Sequence, residues 1–367
     1  MSKILYLFEA SDWLSRIPVA HEAQEQGHSV VLGLIGDHSG HDTGDFVHHF
    51  LGKHPKVSEV FAPLDMIFEM HKLIRHEKPD IVHTVTLKYA FFCALAALGN
   101  PKMRKIYTLA GLGYLFHGHD KKSHVLRFFL KPLLSFLFKR PNTTLVFQNP
   151  DDLKTLVKQG YANQKQCVLI RGSGVNLGRF SPGTRPQENP PIVLMPTRLV
   201  HEKGISVFIE AAKILHGKDV DALFQIAGGE TKHNPKAISR SEMLTMLDGS
   251  PVEWLGRVED MPALLEKASL IVYPSYYGEG IPRVLLEACA AGRTIVTTNH
   301  TGCREAVEHG VNGLLVPVRD APATARAIED LLCSPEKCQS MGHQSRIKAE
   351  EEFDIRIIAK HTAALYA

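Results

Sequence analysis

Long apolar segments are missing from this sequence. No stretch of its 367 residues approaches the run of about 20 apolar residues that a transmembrane helix needs, so we expect no membrane span. The first residues, Met1–Glu9, contain too short an apolar run for a signal peptide and predict a first β-strand instead.

Cysteine pairs and excess charge are missing as well. The six cysteines include no C-x-x-C pair, which argues against a disulfide framework or a zinc knuckle and fits a reducing cytoplasm. The formal net charge of +3 gives no support for nucleic acid as a partner, and we expect none. The sequence also lacks short internal repeats and low-complexity tracts.

What the sequence does contain is a regular alternation of strand and helix patterns. Such alternation predicts an α/β protein with parallel sheets covered by helices. The length favours two domains, and a polar, proline-rich segment between them has the composition of a linker. We predict an amino-terminal domain over 1–181, the linker over 182–191, a carboxyl-terminal domain over 192–350, and a last helix over 351–367 that packs back on the first domain.

Hydrophobic periodicity also places individual elements. It predicts helices over 17–26, 125–138 and 340–352. It makes 57–61 a candidate third strand of the first domain.

The most informative stretch joins a buried strand to a helix. Apolar, β-branched and aromatic residues predict a strand over 269–273, and Pro282 sits where the first turn of a helix would place it. Glu279 and Gly280 then lie at the helix N-terminus, where free N–H groups and the helix dipole favour an anion such as phosphate. Glu287 lies about one and a half turns further along, so two carboxylates can face one pocket. This arrangement suits a ligand with both phosphates and hydroxyls, such as a nucleotide-sugar.

A second group of candidate residues is basic. The segment Thr197–Gly204 follows a predicted strand and opens a helix. Within it, Arg198 and Lys203 can place two cations on a diphosphate, the first as a bidentate fork and the second as a point charge. A plainer alternative holds for both groups: the glutamates and the basic loop are solvated surface.

Further glycine-containing loops follow predicted strands of the second domain. Gly228 ends one strand, the turn Gly256-Arg257-Val258 ends another, and the loop 301–305 precedes a helix. Glycine allows the backbone to approach a ligand closely, although a turn alone explains each of these glycines equally well.

Together these residues carry a resemblance to a known family. The spacing of Glu279 and Glu287 resembles the E-x7-E signature of retaining GT-B glycosyltransferases of family 4, and the wording Glu-Gly-Ile-Pro-Arg is similar to its CapM-like capsule and O-antigen branch. The segment Thr197–Gly204 resembles the family's G-R-L-x-x-x-K-G segment, with Thr197 where glycine is usual. Residues 254–258 look like its base-binding turn. The resemblance covers nearly the whole chain.

The resemblance implies a GT-B fold, in which two Rossmann-like domains have parallel sheets facing across a cleft. It implies that Glu279, Arg198 and Lys203 are catalytic. The donor-binding residues that it implies are Gly280, Ile281, Pro282, Glu287, Gly256, Arg257, Val258 and Gly228. Because GT-B enzymes as a class do without a metal, Arg198 and Lys203 are left to neutralise the diphosphate, and no cofactor is expected.

Acceptor contacts are implied in the first domain. Ser15 and Arg16 match the family's early Ser-His-Arg-Leu-Pro segment, which here lacks its histidine. Gly111 and Gly113 belong to the Gly-Leu-Gly wording of the CapM-like branch, which stands where many members carry a histidine in the cleft.

Twenty histidines raise the question of a metal site. Several lie in one polar region that contains neither cysteine nor an E-x-x-H pattern, so we predict no metal there. These are His38, His41, His48, His49 and His54.

The run 121–140 is basic and aromatic. A basic helix with Phe and Leu on its other face can lie on an anionic membrane surface. The alternative is that the same Phe and Leu form the core face of a domain helix, with Lys at its ends. The branch that the chain resembles acts on polyprenyl-diphosphate sugars at the cytoplasmic membrane face, which favours membrane contact.

The sequence therefore predicts a retaining glycosyltransferase that moves a hexosyl or N-acetylhexosaminyl unit from a UDP-sugar to a polyprenyl-diphosphate-linked glycan. The products would be surface polysaccharides (O-antigen, capsule or exopolysaccharide), made at the inner face of the cytoplasmic membrane by a peripheral protein. Two alternatives stay open: a UDP-sugar epimerase of GT-B fold, and a non-catalytic protein that binds nucleotide-sugars.

Overall fold

The computed structural model describes residues 1–36, 46–52, 62–118, 120–182, 189–231, 234 and 236–367. By their contacts these residues form two compact units. Unit 1 comprises Met1–Gly174 and Ile355–Ala367, and unit 2 comprises Val175–Asp354.

Unit 1 contains a seven-stranded sheet in which every neighbouring pair of strands is parallel. Its central strands are rich in apolar residues and buried along most of their length, because a parallel sheet is covered on both faces. The strands are β1 (Lys3–Glu9), β2 (Ser29–Ile35), β3 (Val47–Leu51), β4 (Ile81–Val85), β5 (Arg104–Leu109), β6 (Thr143–Phe147) and β7 (Cys167–Leu169). Their order in the sheet is β3-β2-β1-β4-β5-β6-β7.

Helices cover both faces of this sheet and bury two apolar clusters against it. They are α1 (Trp13–Glu25), α2 (Ala62–Glu77), α3 (Leu87–Ala96), α4 (Gly113–His117), α5 (Lys121–Phe138), α6 (Pro150–Lys158) and α14 (Ile355–Ala363). The last of these packs against α1, and the Tyr366 hydroxyl just beyond it hydrogen-bonds to His83 Nδ1 at 2.6 Å. The guanidinium of Arg104 donates to the carbonyl oxygens of Leu365 and Tyr366 at 2.7 and 3.0 Å.

Unit 2 contains a six-stranded sheet, again with only parallel neighbours. The strands are β8 (Ile192–Pro196), β9 (Leu223–Ala227), β10 (Val252–Gly256), β11 (Leu270–Tyr273), β12 (Thr294–Thr298) and β13 (Gly313–Val316), in the order β10-β9-β8-β11-β12-β13. The helices are α7 (Ile205–His216), α8 (Arg240–Leu247), α9 (Met261–Lys267), α10 (Arg283–Ala290), α11 (Cys303–Ala306), α12 (Ala321–Leu332) and α13 (Pro335–Lys348), which a π-helical turn (Ala349–Phe353) extends.

In each sheet the strand order reverses beside the first strand of the unit. β1 lies between β2 and β4, and β8 lies between β9 and β11. Open α/β sheets bind ligands at the carboxyl ends of their strands, at this switch point. In unit 2 the segments at that edge begin at Thr197, Gly228 and Pro274.

The α/β architecture with two parallel sheets is confirmed, whereas several element bounds differ from the prediction. The helix predicted over 17–26 begins earlier, at Trp13, because Pro18 is accommodated inside it. Helix α5 begins at Lys121, where Asp120 caps it by accepting a hydrogen bond from the Ser123 N–H. The helix predicted over 340–352 begins at Pro335. The candidate strand over 57–61 lies outside the described residues.

Several elements have no counterpart in the sequence prediction, among them strand β3 and helices α6 and α8. Strand β3 is polar at its centre, His48-His49, and its side chains are mostly exposed, as suits an edge strand. Helix α6 is capped by Asn149, whose side chain accepts from the Asp152 N–H, and helix α8 is capped by Ser239. Across the described residues, no helix is both long and apolar enough to cross a membrane.

Candidate active site

The segments that follow β8, β9 and β11 border a pocket of about 310 Å³ in unit 2. Four predicted residues with charged side chains line it together, two cations and two carboxylates: Arg198, Lys203, Glu279 and Glu287. The rest of the lining consists of Pro196, Thr197, Ala227, Gly228, Met261, Tyr273, Arg283 and Val284. The pocket thus combines charges of both signs beside the first turn of α10.

Lys203 is a buried cation in this pocket, with 4% of its surface exposed. Its Nζ lies 2.5 Å from Oε1 of Glu279. It also lies over the rings of Tyr273 and Tyr277, at 5.5 and 4.9 Å from their centroids. A charge removed from water needs such partners, so the carboxylate and the two ring faces hold the ammonium group in position.

Glu279 is held by a second donor. The hydroxyl of Tyr273 donates to the same Oε1 at 3.0 Å. Burial, together with the nearby carboxylate, raises the pKa of Tyr273 well above its ordinary value, so the hydroxyl keeps its proton. Lys203 and Tyr273 both bond to Oε1, so the second oxygen of Glu279, Oε2, is not used by these two partners and can accept from a ligand.

Glu287 lies one turn into α10 and pairs with Arg283 four residues before it. The Nε of Arg283 donates to Oε1 of Glu287 at 2.9 Å. Burial raises the pKa of Glu287, and the neighbouring guanidinium opposes that rise. Both residues line the pocket.

The turn before α10 differs in detail from the prediction. Pro282 is the N-cap of the helix, with φ −57° and ψ 125°, and the first helical residue is Arg283. Gly280 and Ile281 form the turn, in which Ile281 is buried and packs into the core of unit 2. A Cβ atom on Gly302 would overlap the carbonyl oxygen of Gly280, so the loop before α11 approaches this turn more closely than any side chain would permit.

Gly228 fits between two backbone segments. A Cβ atom there would overlap the carbonyl oxygen of Thr197. Its N–H donates to the carbonyl of Gly256 at 2.7 Å, and its own carbonyl accepts from Trp254 Nε1 at 2.8 Å. The turn Gly256-Arg257-Val258 therefore contacts the pocket wall through Gly228, while its own residues are outside the lining set.

The predicted acceptor residues all belong to unit 1. Ser15 and Arg16 are 4% and 6% exposed in the first turn of α1, and the Ser15 hydroxyl donates to the Asp12 carbonyl at 2.9 Å. Gly111 and Gly113 flank the start of α4 with positive φ angles of 96° and 55°. Both pairs follow strands of the sheet, β1 and β5, at the carboxyl edge.

Two polar residues line the pocket although the sequence prediction gives them no role in it. The sequence predicts Tyr273 as the end of a buried strand, and Arg283 belongs to a family motif without a role of its own. The hydroxyl of Tyr273 at the carboxyl end of β11 was an available signal, since side chains at that edge face the ligand site. The four-residue spacing of Arg283 and Glu287 on one helix face was another.

A larger cavity of about 660 Å³ in unit 2 contains none of the predicted site residues. It is bordered by Pro182 and Asn189, which stand on either side of the undescribed segment 183–188. Its position beside that segment, away from the carboxyl edge of the sheet, gives no reason to place the chemistry there.

Two family models match this chain. The model described as "Glycosyl transferases group 1" matches residues 179–348, and the model described as "Glycosyl transferase 4-like" matches residues 3–149. The first therefore spans the candidate active site, and the second spans most of unit 1.

Individual proteins are similar over most of their length. An N,N'-diacetylbacillosaminyl-diphospho-undecaprenol alpha-1,3-N-acetylgalactosaminyltransferase of Campylobacter jejuni is 29% identical over 318 residues, which is 83% of this chain and 81% of that protein. The capsular polysaccharide biosynthesis glycosyltransferase CapM of Staphylococcus aureus is 23% identical, over 84% of this chain and 81% of its own. The crystal structure of Anabaena HepE in complex with UDP-glucose has a TM-score of 0.79 at 19% identity, covering 100% of this chain and 99% of that one.

Proposed function

This chain belongs to the family 4 glycosyltransferases with the GT-B fold, and we propose that it transfers a hexosyl or N-acetylhexosaminyl unit, with retention, from a UDP-sugar to a polyprenyl-diphosphate-linked glycan. The reaction would serve the synthesis of a surface polysaccharide. The proposal rests mainly on the pocket of unit 2. Arg198, Lys203, Glu279 and Glu287 all line this pocket, beside the N-terminus of α10.

The charges of the pocket match the needs of the bond that breaks. When the bond between the anomeric carbon and the phosphate oxygen cleaves, its electron pair stays on the diphosphate. Lys203 is fixed in place before the donor arrives, and a preorganised cation stabilises such developing charge without reorganisation. Arg198 lines the same pocket and is exposed, so it can close on the diphosphate as a fork. These two cations take the part that a metal ion has in other transferases.

The carboxylates would bind the hydroxyl groups of the donor. Glu279 has its Oε1 occupied by Lys203 and Tyr273, which directs its second oxygen to the sugar and so orients the anomeric carbon. Glu287 would accept from the ribose diol, with Arg283 fixing its orientation. With no general base among these residues, the departing phosphate oxygen takes the proton of the acceptor hydroxyl as the new bond forms on the same face.

The identity of the substrates is inferred from relatives. The Campylobacter relative carries a polyprenyl-diphosphate acceptor in its name, and an Escherichia coli relative that is 26% identical is a UDP-Gal:alpha-D-GlcNAc-diphosphoundecaprenol alpha-1,3-galactosyltransferase. Both names support a lipid-linked acceptor for this chain, and the second supports a UDP-linked donor.

A lipid-linked acceptor calls for a surface that meets the membrane, and α5 has one. The helix uses one face for the core of unit 1, through Leu134, Leu137 and Phe138. A second face is apolar and exposed, with Val125, Leu126, Phe128, Phe129, Leu133 and Phe136 all at least 38% exposed. The sequence leaves two interpretations of this helix, a core face and a membrane face. The buried and the exposed apolar residues lie on different sides of the helix, so each interpretation has its own face.

The ends of α5 supply positive charge. Lys121 precedes the exposed apolar stripe and Lys139 follows it, each on the exposed side of the helix, and α5 contains no acidic residue. Apolar rings at the centre with cations at both ends suit insertion among the headgroups of anionic lipids. We propose that this face holds the protein on the inner surface of the cytoplasmic membrane.

The test is a transfer assay with a panel of UDP- and GDP-sugars and a polyprenyl-diphosphate-linked saccharide. Transfer from a UDP-sugar, with the anomeric configuration of the donor kept in the product, is the expected result. The same UDP-sugars incubated without acceptor provide the control, because an epimerase would isomerise them there. Donor binding without transfer to any lipid-linked saccharide, or isomerisation alone, would refute the proposal.

A further inference from the structure

Three side chains of unit 1 converge at a place that the proposed transfer does not use. His49 lies on the edge strand β3, and His76 and Glu77 end helix α2. His49 Nε2 and His76 Nδ1 lie 2.8 and 2.9 Å from the same atom, Oε1 of Glu77. The three atoms are all within 4.8 Å of one another. Two imidazole nitrogens and one carboxylate oxygen thus point at one small volume.

The carboxylate at the centre is buried and ion-paired. The side chain of Glu77 is 8% exposed, and its second oxygen, Oε2, accepts from Lys3 Nζ at 2.8 Å. Lys3 thereby fixes the carboxylate from behind and leaves Oε1 facing the histidines, as outer partners of ligating carboxylates do in metal sites.

The sequence pattern predicts no metal among the histidines of this region, but the three converging side chains point to one, and we propose that His49, His76 and Glu77 bind a Zn²⁺ ion in unit 1. Two histidines and one glutamate are a donor set that zinc accepts, with a fourth position open to water. In the ion-free arrangement each histidine can donate an N–H to Oε1. Zinc binding requires each ring to carry its proton on its other nitrogen, so that Nε2 of His49 and Nδ1 of His76 present lone pairs to the ion.

The consequence of the site is a link between the sheet edge and a helix. Among the described residues, β2 is the one strand that pairs with β3 in the sheet. A metal shared by His49 on β3 and by the end of α2 ties the edge strand to a second element. Zinc should therefore stabilise unit 1 without taking part in the transfer chemistry proposed for unit 2, and the two proposals stand or fall separately.

The experiment uses the full chain, freed of metal with EDTA and dialysed, and titrates it with ZnCl2 by calorimetry. We expect one equivalent to bind and the Tm to rise. His76→Ala and His49→Ala should each weaken zinc binding by about 10- to 100-fold or more and abolish the rise in Tm. The His76 side chain is 72% exposed, so that variant should fold normally. MgCl2 should not raise the Tm, because the Mg²⁺ ion prefers six oxygen ligands.

The matched control is His48→Ala. His48 is the neighbour of His49 on the same strand, and its Nδ1 contacts the Phe46 carbonyl at 3.1 Å. This variant should bind zinc as the unaltered chain does. The proposal is overturned if the unaltered chain binds no zinc, or if His49→Ala and His76→Ala retain the full affinity.

Discussion

Nζ of Lys203 lies 2.5 Å from Oε1 of Glu279, although 76 positions separate the two residues in the chain. In the pocket without donor, the two proposed catalytic groups of opposite charge are each other's counter-ion. A diphosphate that enters the pocket meets an ammonium group already held by a carboxylate and two aromatic rings. This relationship lets each partner be tested separately.

Replacing Lys203 by alanine should lower kcat by about 10²- to 10³-fold, because the variant lacks a preorganised cation for the developing charge. Steady-state transfer from a UDP-sugar to the lipid-linked saccharide measures the effect, and circular dichroism checks folding. Lys213→Ala is the control, since Lys213 lies on the exposed surface of the same unit and its Nζ donates to the Asp248 carbonyl. Near-normal turnover in the Lys203 variant would remove this residue from the mechanism.

Replacing Tyr273 by phenylalanine should reduce kcat by about three- to tenfold, the effect of losing one hydrogen bond worth about 0.5–1.5 kcal/mol. The ring over Lys203 stays in place, so the Tm should change little. Tyr276→Phe serves as the control, because Tyr276 packs under Arg319 and makes no bond to Glu279. If both variants have the same kcat, the Tyr273 hydroxyl does not orient Glu279.

The buried His83 should make the protein sensitive to acid. Burial lowers the pKa of His83 from 6.5 to about 3, so its neutral ring, bonded to Tyr366 and Thr108, resists protonation in the folded state. The unfolded chain takes up that proton below pH 6.5. The stability from His83 is therefore complete above pH 6.5 and is lost as the pH falls towards 3.

His83→Gln removes the titrating group while keeping a donor and an acceptor. The free energy of unfolding of the unaltered chain should fall more steeply between pH 6.5 and 4.5 than that of the variant. Urea unfolding at several pH values, with EDTA present, measures both slopes. Parallel slopes for the two proteins would contradict the assignment.

The exposed face of α5 should bind anionic membranes. Phe128 and Phe129 are 73% and 71% exposed, and replacing both by serine removes apolar rings that the core does not use. We expect sedimentation with vesicles that contain phosphatidylglycerol to fall by about tenfold or more, since each buried ring contributes about 1.5–3 kcal/mol.

Leu244→Ser is the matched control for this surface. Leu244 is 54% exposed on α8 in unit 2, and its replacement should leave vesicle binding unchanged. Equal binding by the unaltered chain and the double serine variant would show that α5 does not meet the lipid.

Much of the fold follows from local sequence patterns. Apolar runs such as that of β11 predict buried parallel strands, and Gly292, with φ +64°, follows the end of α10 in the left-handed conformation that glycine favours. The apolar pattern does not identify a strand whose residues are polar because it lies at the edge of the sheet. Strand β3 has two histidines at its centre, and only its place at the sheet edge makes such a strand stable.

For the candidate site, the sequence predicts which residues belong to it but not how their side chains contact one another. The resemblance to family motifs predicts that Arg198, Lys203 and Glu279 belong to one site. The structure places all three in one pocket. No sequence pattern indicates that Lys203 and Glu279 are in contact, because that distance depends on how two loops of the sheet edge pack. The two apolar faces of α5 are a similar case, since periodicity does not tell which face meets the core.

The order of the chain has a consequence for biogenesis. Unit 2 is one uninterrupted segment, Val175–Asp354, whereas unit 1 also needs Ile355–Ala367, whose helix packs on α1. During synthesis on a ribosome, unit 2 can form its core before unit 1 does, although unit 1 begins earlier in the chain, because unit 1 waits for residues 355–367. A nonsense codon after Asp354 would therefore destabilise unit 1 and spare the pocket of unit 2.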